Sequence, residues 1–455
     1  MAAALARFLC LNGDAAKASP LPTTDDALPS TTERADVSSR RAEPHDGRVG
    51  AGDWSGLLEP LDEDLRAELL KYGDLAQATY DGFDGRHWSP YCGTCLHGLR
   101  RLLPALGLAG HGYVATAFVY ATCEGKIPRW LHGEAWDGHA NWIGYVAVAG
   151  AAEARRLRYR DVLVAWRGTI APNEWAMDMR TRMVPFEVDA GVDRGAKVAR
   201  GFHSIYTSRN DEIKHGERSA REQVAGELAR VVGHFRGRGE AVRVTVTGHS
   251  LGGALALLAA RDAAAAHPGV PVAAVTFSAP RVGNRAFCEG LASRGVRVLR
   301  VVVRHDVVPL VPSVPRVVVD APVSKALAKL WALTGRPPSW AYVHSGDELR
   351  LDVRKSRFLK HAYDVVGFHD LETCLHLLDG HESAAGPFRS GASRDVALVN
   401  KTTGMLRGKE RIPAWWYGPA NKGLVRNTLG RWVVAEREHD DLPVPDDRLP
   451  LSELD

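Results

Sequence analysis

Val242, Val244 and Val246 alternate with Arg243, Thr245 and Thr247, the period-two pattern of a β-strand. From Gly253 the chain turns to Ala and Leu, good helix formers, and continues to Ala266 before His267-Pro268 stops it. This strand and helix are the centre of a longer series. Upstream, Leu65, Leu69, Tyr72, Ala76 and Tyr80 share one helical face between Asp62 and Tyr80, with Pro60 just before. Trp142 to Val148 and Asp161 to Trp166 read as strands separated by a charged turn, Arg155 to Arg160. An amphipathic helix over Glu217 to Phe235 turns Val224, Leu228, Val231, Val232 and Phe235 inward. Downstream come a strand at Val272–Phe277, a turn at Ser278–Asn284, a helix, and a strand at Val298–Val303. Strands alternating with helices predict an α/β fold, a mostly parallel sheet with helices on both faces. From Pro315 on, loops alternate with a strand at Glu348–Asp352 and a helix at Leu371–Leu378, and there is no internal repeat.

The two ends read differently. Residues 1–52 are rich in Ala, Ser, Thr and Pro without sustained apolar periodicity, and the first 24 carry Arg7 and Lys17 against Asp14. That resembles an organelle transit peptide, with the chloroplast as first expectation and the mitochondrion as second. Acids from Asp25 onward leave a simply disordered segment, and a cytoplasmic protein, as the alternative. The apolar run Phe8–Leu11 is too short for a secretory signal. Residues 53–436 are expected to form the folded domain, and 437–455, acidic and Pro-rich, a disordered tail.

Composition narrows the function classes. Of 455 residues 45% are hydrophobic and 25% charged, values typical of globular proteins. A net charge of +4 without a Lys/Arg block argues against nucleic-acid binding. No run of 18 apolar residues is present, so membrane contact is expected to be peripheral, without a transmembrane segment. Six cysteines in so long a chain suggest a reducing compartment. Cys92-Gly-Thr-Cys95 lacks the second pair that a zinc site needs, and no metal or cofactor is expected.

The chemistry concentrates where the central strand meets its helix. Gly248-His249-Ser250-Leu251-Gly252 is a G-x-S-x-G motif in strand–turn–helix context, and makes Ser250 a candidate nucleophile. A serine hydroxyl needs a histidine base, and the imidazole needs a carboxylate to fix its tautomer. Asp306, just past the Val298–Val303 strand, is the candidate acid. His305, His344, His361, His369 and His376 all follow the serine; His369, at the head of a helix, is favoured, with His376 in reserve. The N–H groups of Leu251, after the nucleophile, and Thr169, after the Asp161–Trp166 strand, are candidate oxyanion donors.

Four motifs then carry a likeness: Trp166-Arg167-Gly168-Thr169, Gly248–Ala254, Ser278–Asn284 and Asp306-Val307-Val308-Pro309. In this order they resemble class 3 lipases, and among them the plant phospholipase A1 group of the plastid anther-dehiscence type. The likeness runs from about Trp54 to Ala435. The resemblance implies an α/β-hydrolase fold, a Ser250–Asp306–His369 triad, and release of the sn-1 acyl chain from phospholipids and galactolipids. It also implies links to jasmonate synthesis and flower development. It places a short lid at about Asn173–Phe186, with Trp175, Met177, Met179, Met183, Val184 and Phe186 meeting lipid. A triacylglycerol lipase or esterase, and a catalytically silent scaffold that signals by binding, are the alternatives.

Overall fold

The computed structural model describes residues 54, 56–86, 89–122, 140–169, 182–186, 191, 193–312, 341–417, 424–426, 428–434, 437–444 and 447–454. The chain divides into units 1–45 and 46–455. Every described residue belongs to the second, and the expected transit segment 1–52 lies outside the described residues.

Helix α1 (Glu63–Asp81) starts where Asp62 accepts a hydrogen bond from the Leu65 N–H, and it buries Leu65, Leu69, Tyr72 and Ala76 as the spacing predicts. Strands β1 (Tyr113–Ala121), β2 (Asn141–Ala149) and β3 (Arg160–Trp166) follow, with a short helix α2 (Ala151–Leu157) between the last two. A small hairpin pairs β4 (Met183–Pro185) with β5 (Lys197–Ala199), and helix α3 (Arg200–Thr207) leads on from it. Helix α4 (Ala220–Gly237) opens with a reciprocal Ser219–Glu222 capping box. Then come β6 (Val242–His249), α5 (Leu251–Ala266), β7 (Val272–Phe277), α6 (Arg285–Ser293), β8 (Arg297–Val303) and β9 (Asp347–Leu351). Two helices follow, α7 (Val365–His369) and α8 (Leu371–Asp379).

The main sheet runs β1-β2-β3-β6-β7-β8-β9. The steps from β3 to β9 are parallel, while β1, β2 and β3 pair antiparallel. This is the mostly parallel α/β sheet of the hydrolase fold. Every residue of β2, β3, β6 and β7 is buried, as expected of strands covered on both faces. The polar positions of β6 therefore face protein rather than water. Thr245 Oγ1 donates to Asp161 Oδ1 at 2.7 Å, and the Tyr72 and Tyr113 hydroxyls donate to Asp161 Oδ2 at 3.1 and 2.6 Å. A buried polar layer thus joins α1 to three strands, each of its groups satisfied.

Two expectations are corrected. Arg155 lies in α2, and the expected charged turn is reduced to the residues after Leu157, where Arg158 takes a left-handed φ of 66° as the C-cap. The described residues of the acidic tail, 437–444 and 447–454, are packed rather than disordered. Arg437 donates to Asp84 and to the Cys95 carbonyl, both at 2.8 Å, and Asp441 accepts from the Gly98 N–H at 2.8 Å. The Leu449 N–H then bonds the Thr116 carbonyl on the open side of β1, with Leu449 itself buried. An unpaired strand edge invites such cover, and long-range pairing overrides the tail's polar composition.

Leu449→Ala should cost about 2–3 kcal/mol and lower the thermal midpoint by a few degrees. An unchanged midpoint would mean that the tail does not pack on β1.

Candidate active site

Ser250 stands on the turn between β6 and α5 with φ 59° and ψ −126°, a left-handed conformation that side chains rarely adopt. The turn is so tight that a Cβ on Gly248 would come within 2.4 Å of the Gly252 carbonyl group, and one on Gly252 within 2.3 Å of the Trp166 carbonyl oxygen. The Ser250 N–H donates to the Phe277 carbonyl at 3.0 Å, which ties the turn to the end of β7.

His369 reaches this point from the last position of α7. Asp364 caps α7 by accepting from the Gly367 N–H at 2.9 Å, and Asp370 caps α8 by accepting from the Thr373 N–H at 3.0 Å. Asp370 also accepts from the Thr402 hydroxyl at 2.7 Å, so the backbone is held on both sides of His369. Nδ1 of His369 lies 2.8 Å from Asp306 Oδ2, and Nε2 lies 2.8 Å from Ser250 Oγ. A carboxylate only accepts, so Nδ1–H donates to Asp306 and Nε2 is left to accept the serine proton. The other Asp306 oxygen takes the Val308 N–H at 2.9 Å, which fixes the carboxylate in its turn after β8. All three side chains are at most 2% exposed.

The surrounding bonds also bear on two backbone N–H groups, those of Leu251 and Thr169. The Gly253 and Ala254 N–H groups return to the Ser250 carbonyl, whereas Leu251, at the head of α5, belongs to the first turn, whose N–H groups have no carbonyl within the helix. Just past the end of β3, the Arg167 N–H bonds the Ile143 carbonyl at 2.7 Å and Nε bonds the Trp142 carbonyl at 3.1 Å. Its Nη1 donates to the Gly168 carbonyl at 3.2 Å. In a trans peptide the N–H points opposite the C=O, so fixing the Gly168 oxygen also fixes the direction of the Thr169 N–H. Gly168 allows this approach: a Cβ there would meet the Tyr80 hydroxyl at 2.1 Å and the His249 carbonyl at 2.7 Å. A serine, a histidine and an aspartate in hydrogen-bonded series are the groups that serine-hydrolase chemistry requires.

Comparison with known proteins gives the family. The family described as lipase (class 3) matches residues 163–315. Phospholipase A1-Igamma1, chloroplastic, of Arabidopsis thaliana is 41% identical over 89% of this chain and 81% of its own length. The chain belongs to the class 3 lipases. Within them it groups with the plant phospholipases A1, and it is a carboxylic ester hydrolase. Phospholipase A1-Igamma2, chloroplastic, also from Arabidopsis thaliana, is 41% identical over 89% of this chain and 78% of its own. Phospholipase A1-II 6 of Oryza sativa subsp. japonica is 39% identical over 86% and 94%.

The remaining histidine candidates of this lipase are engaged elsewhere. His376 bonds Ser356 Oγ at 2.8 Å and stacks on Phe388, His344 bonds the Pro309 carbonyl, and His361 meets Arg407. His305 packs against Phe368. Among the described residues no group of three His, Cys, Asp or Glu could hold a metal ion, and Cys92 and Cys95 are free thiols. Of the expected lid, Trp175, Met177 and Met179 lie outside the described residues. Met183 opens strand β4, opposite Ala199. Phe186 is corrected: it is buried against Phe287, at 5.7 Å between ring centres, and anchors the hairpin rather than facing lipid.

Residue spacing carries no sign of a second relay. His249 Nε2 lies 2.7 Å from the His369 carbonyl, which can only accept, so Nε2–H donates to it. Nδ1, 2.7 Å from the Tyr80 hydroxyl, must then accept the Tyr80 proton. Burial and the neighbouring His369 push the His249 pKa well below its ordinary value, and burial pushes that of Tyr80 up. Both stay neutral, and together they brace the backbone that carries His369.

Burial also lowers His376 to about 4 and His344 to about 3, the second with help from Arg300. Unfolded histidines titrate near 6.5, so below that pH the unfolded chain takes up protons that the native state refuses. Stability contributed by the three neutral histidines is therefore complete above about pH 6.5 and falls as the pH drops toward 4, by on the order of 1.4 kcal/mol per pH unit for each. Denaturant unfolding at pH 7.5 and pH 5, marked against about the same 6.5 reference, should show the lower stability at acid pH. Equal stability at both would contradict the neutral, buried assignment.

Proposed function

We propose that this lipase releases the sn-1 fatty acid from phospholipids and galactolipids through an acyl-enzyme on Ser250. The observation that carries the reading is the continuous relay from Asp306 through His369 to Ser250, with both contacts at 2.8 Å. His369 Nε2 takes the hydroxyl proton as Ser250 Oγ attacks the ester carbonyl. The N–H groups of Leu251 and Thr169 receive the oxyanion, and the helix dipole of α5 favours the same charge. The imidazolium, steadied by Asp306, protonates the departing lysolipid oxygen. Water then gives its proton to His369, attacks the acyl-enzyme and frees the fatty acid, restoring Ser250.

The sn-1 preference is supported by the name phospholipase A1 that the relatives bear. A chloroplast setting is supported by the description chloroplastic of the Arabidopsis relatives and by the base-over-acid balance of the first 24 residues. In that setting the fatty acid released from plastid lipids would supply jasmonate synthesis, with effects on flower development. Contact with lipid is peripheral in this reading: no described helix is long and apolar enough to cross a membrane.

Ser250→Ala should lower turnover on the order of 10⁵-fold or more while leaving the fold intact, and Asp306→Asn about 10⁴-fold. Mass spectrometry of products from phosphatidylcholine, monogalactosyl diacylglycerol and triacylglycerol, each with distinct chains at each position, should show the sn-1 acid from the polar lipids. Hydrolysis of triacylglycerol alone would replace the proposal with a neutral-lipid lipase. Activity retained in Ser250→Ala would remove the nucleophile assignment.

A further inference from the structure

Among the described residues, the large hydrophobic side chains left exposed are Val114, Leu310, Tyr363, Trp415, Trp416, Leu429 and Val444. Four of these seven sit on loops joined to the triad. Leu310, 56% exposed, ends the short turn that begins at the Asp306 carboxylate. Tyr363, 60% exposed, packs its ring edge on Phe368, the neighbour of His369. Trp415 and Trp416, 59% and 41% exposed, hang from a loop whose Thr402 hydroxyl bonds Asp370.

Two of these loops are joined into one surface. The Lys360 N–H bonds the Met405 carbonyl at 2.8 Å, and the Arg407 N–H bonds the Phe358 carbonyl at 2.9 Å, which stitches the two long loops together. The Trp415 N–H bonds the Thr403 carbonyl, and Trp416 Nε1 donates to the Ala397 carbonyl at 2.7 Å. The tryptophans are thus held outward by the backbone rather than left loose. Trp415 keeps a φ of 56°, a conformation that a bulky residue adopts only where its surroundings demand it.

The charge of this surface is one-sided. Residues 357–369 and 401–417 carry five basic side chains that are not buried (Arg357, Lys360, Arg407, Lys409 and Arg411) against two acids, Asp364 and Glu410, while Lys401 is buried against Asp81. Arg357, Lys360, Lys409 and Arg411 are exposed. Asp364 is occupied in capping α7.

We propose that this face seats the protein on a lipid bilayer carrying anionic headgroups. Tryptophan and tyrosine rings settle at the level of the headgroups, and the cations around them are drawn to a negative surface. Ser250 and His369 are each 1% exposed, and the loops that carry this face are bonded to or packed on the neighbours of Asp306 and His369, so a bilayer seated on it lies against the elements that hold the triad. The inference rests on the acyl-hydrolase reading for its purpose, and its test separates the two.

The test uses the full chain with Ser250→Ala, so that binding is read without hydrolysis, on vesicles of phosphatidylcholine with and without phosphatidylglycerol. Binding should favour the anionic vesicles and weaken with salt. Trp415→Ala with Trp416→Ala should weaken it by at least about tenfold, and Arg357→Glu with Lys360→Glu and Arg411→Glu should abolish the preference for phosphatidylglycerol. On an active Ser250 background, the tryptophan variant should lose vesicle hydrolysis while hydrolysing soluble p-nitrophenyl butyrate at the parent rate. Vesicle binding that these variants leave unchanged would overturn the proposal, as would no binding by the parent. Equal loss on vesicles and soluble ester would overturn it too, by making the tryptophans structural. A parent that binds vesicles but hydrolyses neither substrate would sink the acyl-hydrolase reading and leave the docking face standing.

Discussion

The hydrogen bond between His369 and Ser250 joins positions 119 residues apart, and much of the architecture serves to make it. The serine is delivered by a strand that cannot shift, because β6 pairs in register with β3 and β7 and is buried on both faces. The histidine arrives at the end of a five-residue helix, a far less rigid carrier. Its position is secured by three independent grips: the carboxylate caps of Asp364 and Asp370, the Asp306 contact at Nδ1, and the His249–Tyr80 relay at its carbonyl. A base displaced by an ångström would leave the serine proton without an acceptor.

The same neighbours serve both halves of the site. Tyr80 touches His249 through its hydroxyl and lies against Gly168, whose carbonyl is held by Arg167. Burial lowers the Arg167 pKa to about 10, yet it remains cationic near neutrality. Its side chain is stacked on Phe83, 3.9 Å from the ring centre. A guanidinium held this way behind the Gly168–Thr169 peptide polarises the peptide in the sense that strengthens its N–H as a donor. His369 and the Gly168–Thr169 peptide are therefore positioned by one connected set of contacts, anchored in the C-terminal turn of α1.

Much of this was legible in the sequence because it depends on local periodicity. The strand–turn–helix around Ser250, the Val272–Phe277 strand and the acid just beyond β8 follow from apolar patterning and the position of glycine. Strand β1 was not found. Tyr113–Ala121 is a nearly continuous apolar run, and period alone does not separate such a run from a buried helix. The tail was misread for a related reason. Its packing depends on Asp84, Gly98 and Thr116, more than three hundred residues away, and composition carries no record of such partners. His249 and Tyr80 escaped notice because a residue beside the nucleophile and one at a helix end are ordinary until the fold brings them together.

The relay's central claim is that Ser250 is the nucleophile and His369 its base. Reaction with a p-nitrophenyl alkylphosphonate, read by intact mass and then by peptide mapping, tests both at once. A single adduct on the Ser250 peptide, formed in the parent and slowed by orders of magnitude in His369→Gln, is the result this account predicts. An adduct on another residue, or equal labelling in His369→Gln, would contradict it.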